Sequence, residues 1–124
     1  MRLFKCEHCG NIMTLIEDKG VPVMCCGQKM TEQVPGTSDG ALEKHVPAVE
    51  VDGNAVKVAV GEVAHPMLEE HYIMFVALET NKGLQLKKLN PAEEPKASFL
   101  LAEGEEAIAA YEYCNLHGFW KKEI

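Results

Sequence analysis

Five side chains in this sequence could share a single ion: His45, His65, His71, Cys114 and His117. They lie in three separate stretches, E-K-H-V-P, H-P-M-L-E-E-H-Y-I and Y-C-N-L-H-G-F-W, and include four of the five histidines in the chain. Four imidazoles and one thiolate would fill all but one position of an octahedral iron ion, and a position left open turns a bound metal into a reactive one. A histidine taken singly is more often a packing or surface residue than a ligand, so the joint placement carries the reading. The C-x-x-H spacing of Cys114 and His117 is a tight loop that can offer both side chains to one ion while turning backbone N–H groups toward the sulfur. His65 and His71 form an H-x5-H pair, with Pro66 suited to a loop that leads into a strand near Tyr72. His45 stands just before Val46-Pro47, at another strand entrance.

A second set lies near the N-terminus. Cys6 and Cys9 form C-E-H-C, and Cys25 with Cys26 form an adjacent pair, together supplying four thiolates for a tetrahedral site. All-sulfur sites accept iron or zinc. Two adjacent cysteines cannot both point inward without backbone strain, so distortion is expected there. His8, inside the knuckle, is read as a surface residue because the sulfurs already complete the set.

The elements that must position these groups divide near Gly36. Residues 1–36 are too few to bury a self-sufficient core, and a metal clamp is the usual remedy at that size. Met13 to Ile16 and Val21 to Met24 are predicted as hairpin arms around E-D-K-G, and T-E-Q-V-P-G-T-S-D-G as a linker. Residues 37–124 read mostly as strand. Val46 to Val51 and Ala55 to Val60 flank D-G-N, with Val56, Val58 and Val60 on one face and Lys57 on the other. Y-I-M-F-V-A-L-E is apolar on both faces, as a central covered strand should be. N-K-G turns the chain into L-Q-L-K-K-L, and A-S-F-L-L-A follows P-A-E-E-P. E-G-E-E-A-I-A-A-Y-E-Y suits helix by propensity and strand by alternation, and is assigned to strand. Short strands with regular turns predict a β-sandwich whose loop and strand ends gather the five donors. Tyr72, Phe75 and Trp120 are read as packing residues, Trp120 pinning the C-x-x-H loop.

Composition narrows the function. A net charge of −7 disfavours nucleic acid, whose binding draws on Lys and Arg. No run approaches the roughly 20 apolar residues of a membrane span, and M-R-L-F-K-C-E-H lacks a signal peptide's apolar region. A cytoplasmic setting is therefore expected, where thiols stay reduced and clustered cysteines favour metal ligation over disulfides.

Taken together, E-K-H-V-P, H-P-M…H-Y-I, C-N-L-H-G and the C-x-x-C with C-C pattern make the chain resemble the desulfoferrodoxins, the two-iron superoxide reductases, over essentially its whole length. The resemblance implies a desulforedoxin-like four-cysteine iron domain (1–36) followed by an immunoglobulin-like β-sandwich (37–124) that assembles as a homodimer. It further implies an iron with His45, His65, His71 and His117 equatorial, Cys114 axial and an open apex facing solvent. Lys44 is similar to the family's superoxide-attracting lysine, and Glu43 to its glutamate that can occupy the open position after oxidation. Without the resemblance, Glu43-Lys44 reads as an exposed charge pair of little energetic value.

Neutral imidazoles and one thiolate around Fe(II) leave a local positive charge that draws in an anion at contact range, and an anionic sulfur favours electron donation. The expected reaction is superoxide plus one electron and two protons giving hydrogen peroxide, with the electron supplied by a small carrier such as rubredoxin. Two other readings stay open on the residues alone. One is an electron-transfer protein centred on the four cysteines; the other is a zinc-ribbon binding module.

Overall fold

Alternating apolar residues and closely spaced turn residues make strand the dominant regular structure of the described residues. The computed structural model describes residues 1–38 and 40–124; Asp39, in the stretch read as a linker, lies outside them. The described residues fall into two units, Met1–Val34 and Pro35–Ile124.

The first unit contains β1 (Leu3–Lys5), β2 (Ile12–Thr14), β3 (Met24–Cys25), β4 (Gln28–Lys29) and β5 (Thr31–Gln33). β1 is the middle of a three-stranded antiparallel sheet, between β2 and β5. Its Phe4 packs with Cys6 and Met30, joined by the partly buried Leu15, Val23 and Cys25. The predicted hairpin around E-D-K-G does not form, because β2 pairs with β1 and β3 with β4. Ile16 and Val21 are 98% and 71% exposed, and the apolar residues of those arms that do pack, Leu15 and Val23, lie against Phe4 and Met30. Asp18 instead accepts the Gly20 N–H at 2.8 Å, and Arg2 binds both Asp18 and Glu32, holding the loop as a loop. Thr31 to Gln33, read as the start of a linker, is strand, since β1 needs a partner on its second edge.

The second unit begins with a single helical turn, α1 (Leu42–His45), which the strand reading did not anticipate. Seven strands follow: β6 (Pro47–Asp52), β7 (Ala55–Val60), β8 (Ile73–Thr80), β9 (Gly83–Lys88), β10 (Lys96–Leu100), β11 (Ala107–Cys114) and β12 (Gly118–Glu123). They form two antiparallel sheets, β10-β7-β6 and β12-β11-β8-β9, the arrangement of an immunoglobulin-like sandwich. The hairpin expected at D-G-N forms, with Asp52 already paired to Ala55 and Gly53-Asn54 as the turn. Val56, Val58 and Val60 are buried, while Lys57 is exposed. β8 is central and buried along most of its length, paired on both edges. The stretch of undecided propensity, 104–113, turns and then becomes β11, whose Ala109 to Cys114 are all buried. Burial between β8 and β12 decides for strand where the alanines and glutamates alone would favour helix. The core joins these valines to Ile73, Val76, Leu78, Leu89, Ala97, Phe99, Ala110 and Cys114.

Candidate metal centres

One end of the sandwich gathers three segments. The 61–72 connection between β7 and β8 carries His65 and His71, α1 ends on His45, and the β11–β12 hairpin carries Cys114 and His117. Each is fixed locally. The His65 N–H donates to the Val60 carbonyl at 2.9 Å, and a bridge pairs His71 with Leu68. At the end of β11 the register shifts, Tyr113 facing Phe75 while Cys114 faces Ile73, so Met74 is an extra residue on β8. Such a bulge re-aims a side chain, and here it accompanies a Cys114 that lies wholly buried in the core. The three-residue loop then closes on Gly118, whose φ of +78° favours glycine.

All five donor atoms, His45, His65, His71, His117 and Cys114, lie within 4.8 Å of one another. The four rings form a closed cycle: centroids of neighbours are 4.7 Å apart for His45–His65, 4.6 Å for His65–His71, 4.9 Å for His71–His117 and 4.8 Å for His117–His45. Every neighbouring pair is edge-on, with planes 75° to 85° apart.

Protons decide what the cycle is for. His45 Nδ1 lies 2.7 Å from the Ala41 carbonyl and His65 Nδ1 2.7 Å from the Pro66 carbonyl. A carbonyl only accepts, so both Nδ1 atoms carry the proton and both neutral rings present a bare Nε2. Those two Nε2 atoms face each other at 3.1 Å, and His117 Nδ1 stands 3.1 Å from the same His45 Nε2. Lone pairs so close repel unless a cation lies between them. His71 Nε2 is buried with no hydrogen-bond partner, a second sign of a missing positive charge. Metal–imidazole bonds of about 2.1 Å at right angles would set neighbouring nitrogens about 3 Å apart. The donors thus fit a metal ion, three offering Nε2 and His117 offering Nδ1.

The surroundings keep three of the imidazoles in ligating form. Burial is the main cause that lowers the pKa of His45 and His71 and brings His65 down to about 4, so the rings are neutral near pH 7. Burial raises the Cys114 thiol, opposed by the N–H groups of His117 and Leu116; the His117 N–H lies 3.4 Å from the sulfur. Glu43 and Lys44 lie on α1, both exposed, directly before His45. Lys44 is close enough to help depress His45 and His71, while Glu70 opposes it at His71.

Three supporting residues escaped the sequence reading. Asn115 accepts the Tyr72 N–H at 2.9 Å and donates to the Glu70 carbonyl at 3.1 Å, tying the His71 segment to the C-x-x-H loop. A Cβ on Gly61 would stand 2.7 Å from the Glu43 carbonyl oxygen, so only glycine lets the 61–72 connection lie against α1. A Cβ on Gly40 would stand 3.1 Å from both the His45 and Trp120 rings. The only sequence signals were an asparagine beside a donor and glycines flanking the donor segments.

In the first unit Cys6, Cys9, Cys25 and Cys26 bring their sulfurs within 4.8 Å of one another. Cys9 and Cys25 Sγ are 3.6 Å apart, and Cys25 and Cys26 Sγ 4.0 Å. Tetrahedral metal–sulfur bonds of about 2.3 Å imply separations of about 3.8 Å, so these donors also fit an ion. The Cys9 N–H, 3.4 Å from Cys6 Sγ, leads the causes that lower the Cys6 pKa to about 6. A side-chain hydrogen bond with Cys9 leads the causes that push Cys26 up to about 12. The Asn11 N–H lies 3.4 Å from Cys9 Sγ, and its side-chain amide 3.7 Å from Cys25 Sγ. The expected strain sits in the β3–β4 turn, where Cys26 and Gly27 have φ of +53° and +71°. Positive φ at both central residues defines a type I′ turn, and it swings consecutive sulfurs toward one point. His8 is exposed.

A sandwich with a four-imidazole, one-thiolate cradle, together with a four-thiolate knuckle, defines a protein with two metal-binding centres. The desulfoferrodoxin family model matches residues 37–123, and the model of the desulfoferrodoxin N-terminal domain matches residues 1–32. The chain belongs to the desulfoferrodoxin family. It is 47% identical over 122 residues to a desulfoferrodoxin of Nitratidesulfovibrio vulgaris, covering 98% of this chain and 94% of the relative. A superoxide reductase of Pyrococcus horikoshii is 32% identical, over 77% of this chain and 97% of its own. The crystal structure of the superoxide reductase from Treponema pallidum superposes with a TM-score of 0.82 at 42% identity, covering 98% of both chains.

Proposed function

We propose that the chain reduces superoxide by one electron to hydrogen peroxide at the centre made by His45, His65, His71, His117 and Cys114. The observation that carries this is the cycle of four imidazoles, with bare nitrogens 3.1 Å apart, beside a buried sulfur. Similarity to superoxide reductases of Treponema pallidum and Pyrococcus horikoshii supports the choice of substrate. Iron, when bound there, would supply a one-electron couple biased toward donation by the Cys114 thiolate.

The chain's own residues do the rest. His45 and His65 are locked in the right tautomer by the carbonyls of Ala41 and Pro66, so neither ring needs to shed a proton before ligating. Backbone N–H groups around Cys114 moderate the charge on its sulfur. Lys44, exposed and within electrostatic reach of His45 and His71, attracts the anionic substrate, and Glu43 is the carboxylate to which the family resemblance assigns the open coordination position. Protons for peroxide release would come from water, since no buried acid is needed once the site is open to solvent. The domain of residues 1–36 would hold a second iron with Cys6, Cys9, Cys25 and Cys26, a site whose chemistry also admits zinc. Re-reduction by a small carrier such as rubredoxin, a cytoplasmic setting and assembly as a homodimer are carried by the family resemblance. Among the described residues no helix is long and apolar enough to cross a membrane.

Metal analysis and superoxide-consumption kinetics on the intact protein and His117→Ala test the proposal. We expect two irons per intact chain, and peroxide formed only with an external reductant. The variant should lose one iron and nearly all activity. Oxygen evolution without a reductant would mark a dismutase instead and overturn the reading.

A further inference from the structure

His45 and His117 are 72 residues apart in sequence, yet their facing nitrogens stand 3.1 Å apart. Trp120 touches both. Its indole stacks on the His45 ring with centroids 5.0 Å apart and planes 27° apart, and its Nε1–H donates to the His117 carbonyl at 3.0 Å. It is 2% exposed, which fixes its own rotamer. We propose that Trp120 is a positioning residue of the five-donor centre, one face setting the plane of His45 while its N–H sets the height of the loop that delivers His117.

A hydrogen bond from His45 Nδ1 to the Ala41 carbonyl fixes the tautomer but leaves the ring free to tilt about that bond. Imidazole χ2 is a soft torsion, and a flat neighbour on its face removes the tilt. The backbone of Gly40 runs over the edge where the two rings meet, since a Cβ there would stand 3.1 Å from His45 Cε1 and Nδ1 and from Trp120 Cζ2. One indole thereby aligns two donors that share an edge of the cycle. This inference rests on the metal-centre reading above, and goes beyond it by naming a side chain that acts through two ligands without being one.

Cobalt(II) titration of the full chain tests it, with the thiolate-to-cobalt absorption of the five-donor centre read as the difference from a Cys114→Ser blank. Trp120 is the only tryptophan, so its emission in the unaltered protein should be quenched as that centre fills. Trp120→Phe keeps an aromatic face and loses the N–H; we expect about ten-fold weaker binding at this centre and a shifted band. Trp120→Leu loses both, and its affinity should fall toward about a hundred-fold. Gly40→Ala retains the indole but wedges the stack, and should shift the same band. Variants that only lower the unfolding midpoint, with affinity and band unchanged, would show a merely structural residue and overturn the proposal. An unaltered protein that binds one cobalt per chain, with no quenching, overturns the metal-centre reading and this proposal with it.

Discussion

Lys44 brings a cation to the rim of a centre in an otherwise acidic chain of net charge −7. Its influence reaches His45 and His71, where it adds to the depression of both rings. Replacing Lys44 with Ala should therefore slow superoxide capture by roughly ten-fold at low salt, with less difference at high salt, since screening weakens such steering. Rapid-mixing kinetics at two ionic strengths would check this, and an unchanged capture rate would remove Lys44 from the mechanism. Protons give a second measurable effect. In the metal-free protein burial holds His65 at about 4, against 6.5 for an unburied ring. Between those values the unfolded chain binds the extra proton, so stability is full above the upper value and is lost as pH falls toward the lower one. Urea midpoints of chelator-treated protein should drop between neutrality and about pH 4.5, more steeply than in His65→Asn. Parallel slopes in the two proteins would refute the assignment.

At the scale of elements, close approach is what assembles the centre. Gly61 lies against α1, where a methyl group would meet the Glu43 and Val46 carbonyl oxygens at 2.7 Å and 2.9 Å. Gly61→Ala should cost about 1–3 kcal/mol in urea unfolding and weaken metal retention by the histidine centre, leaving the four-cysteine centre loaded. Selective loss of the cysteine-bound metal instead would contradict this. The sandwich strands and all nine donors were legible in the sequence, because Val56, Val58 and Val60 alternate with polar residues and because cysteines and histidines at ligand spacing are rare. The one-turn helix ending on His45 was not legible, since four residues carry too little periodicity to show. The hairpin expected around E-D-K-G failed for a related reason. Short apolar runs do not reveal which partner strand will bury them, and β1 took β2. Asn115, Gly40 and Gly61 act by tethering or by absence of bulk, qualities that become visible only once distant backbones lie side by side.

Over the whole molecule, each unit contains a complete donor set. The four cysteines fall within Met1–Val34, and the histidines with Cys114 within Pro35–Ile124. Lesions should therefore separate. Cys9→Ser should strip the first centre of its metal while leaving peroxide production within about two-fold of the original, as for independent sites. If peroxide production collapsed, electrons would have to pass through the cysteine centre, and the electron-transfer reading would gain the ground. The sulfur of the second centre has a different kind of dependence. Cys114 belongs to the same buried cluster as Phe99, Val58 and Leu78, so the ligand most able to tune the metal's electronics is also a brick in the hydrophobic interior. With the proposed iron bound, the colour of its oxidised form would consequently be a strain gauge: loosening a hydrocarbon side chain deep between the sheets should alter hue while every ligand remains in place.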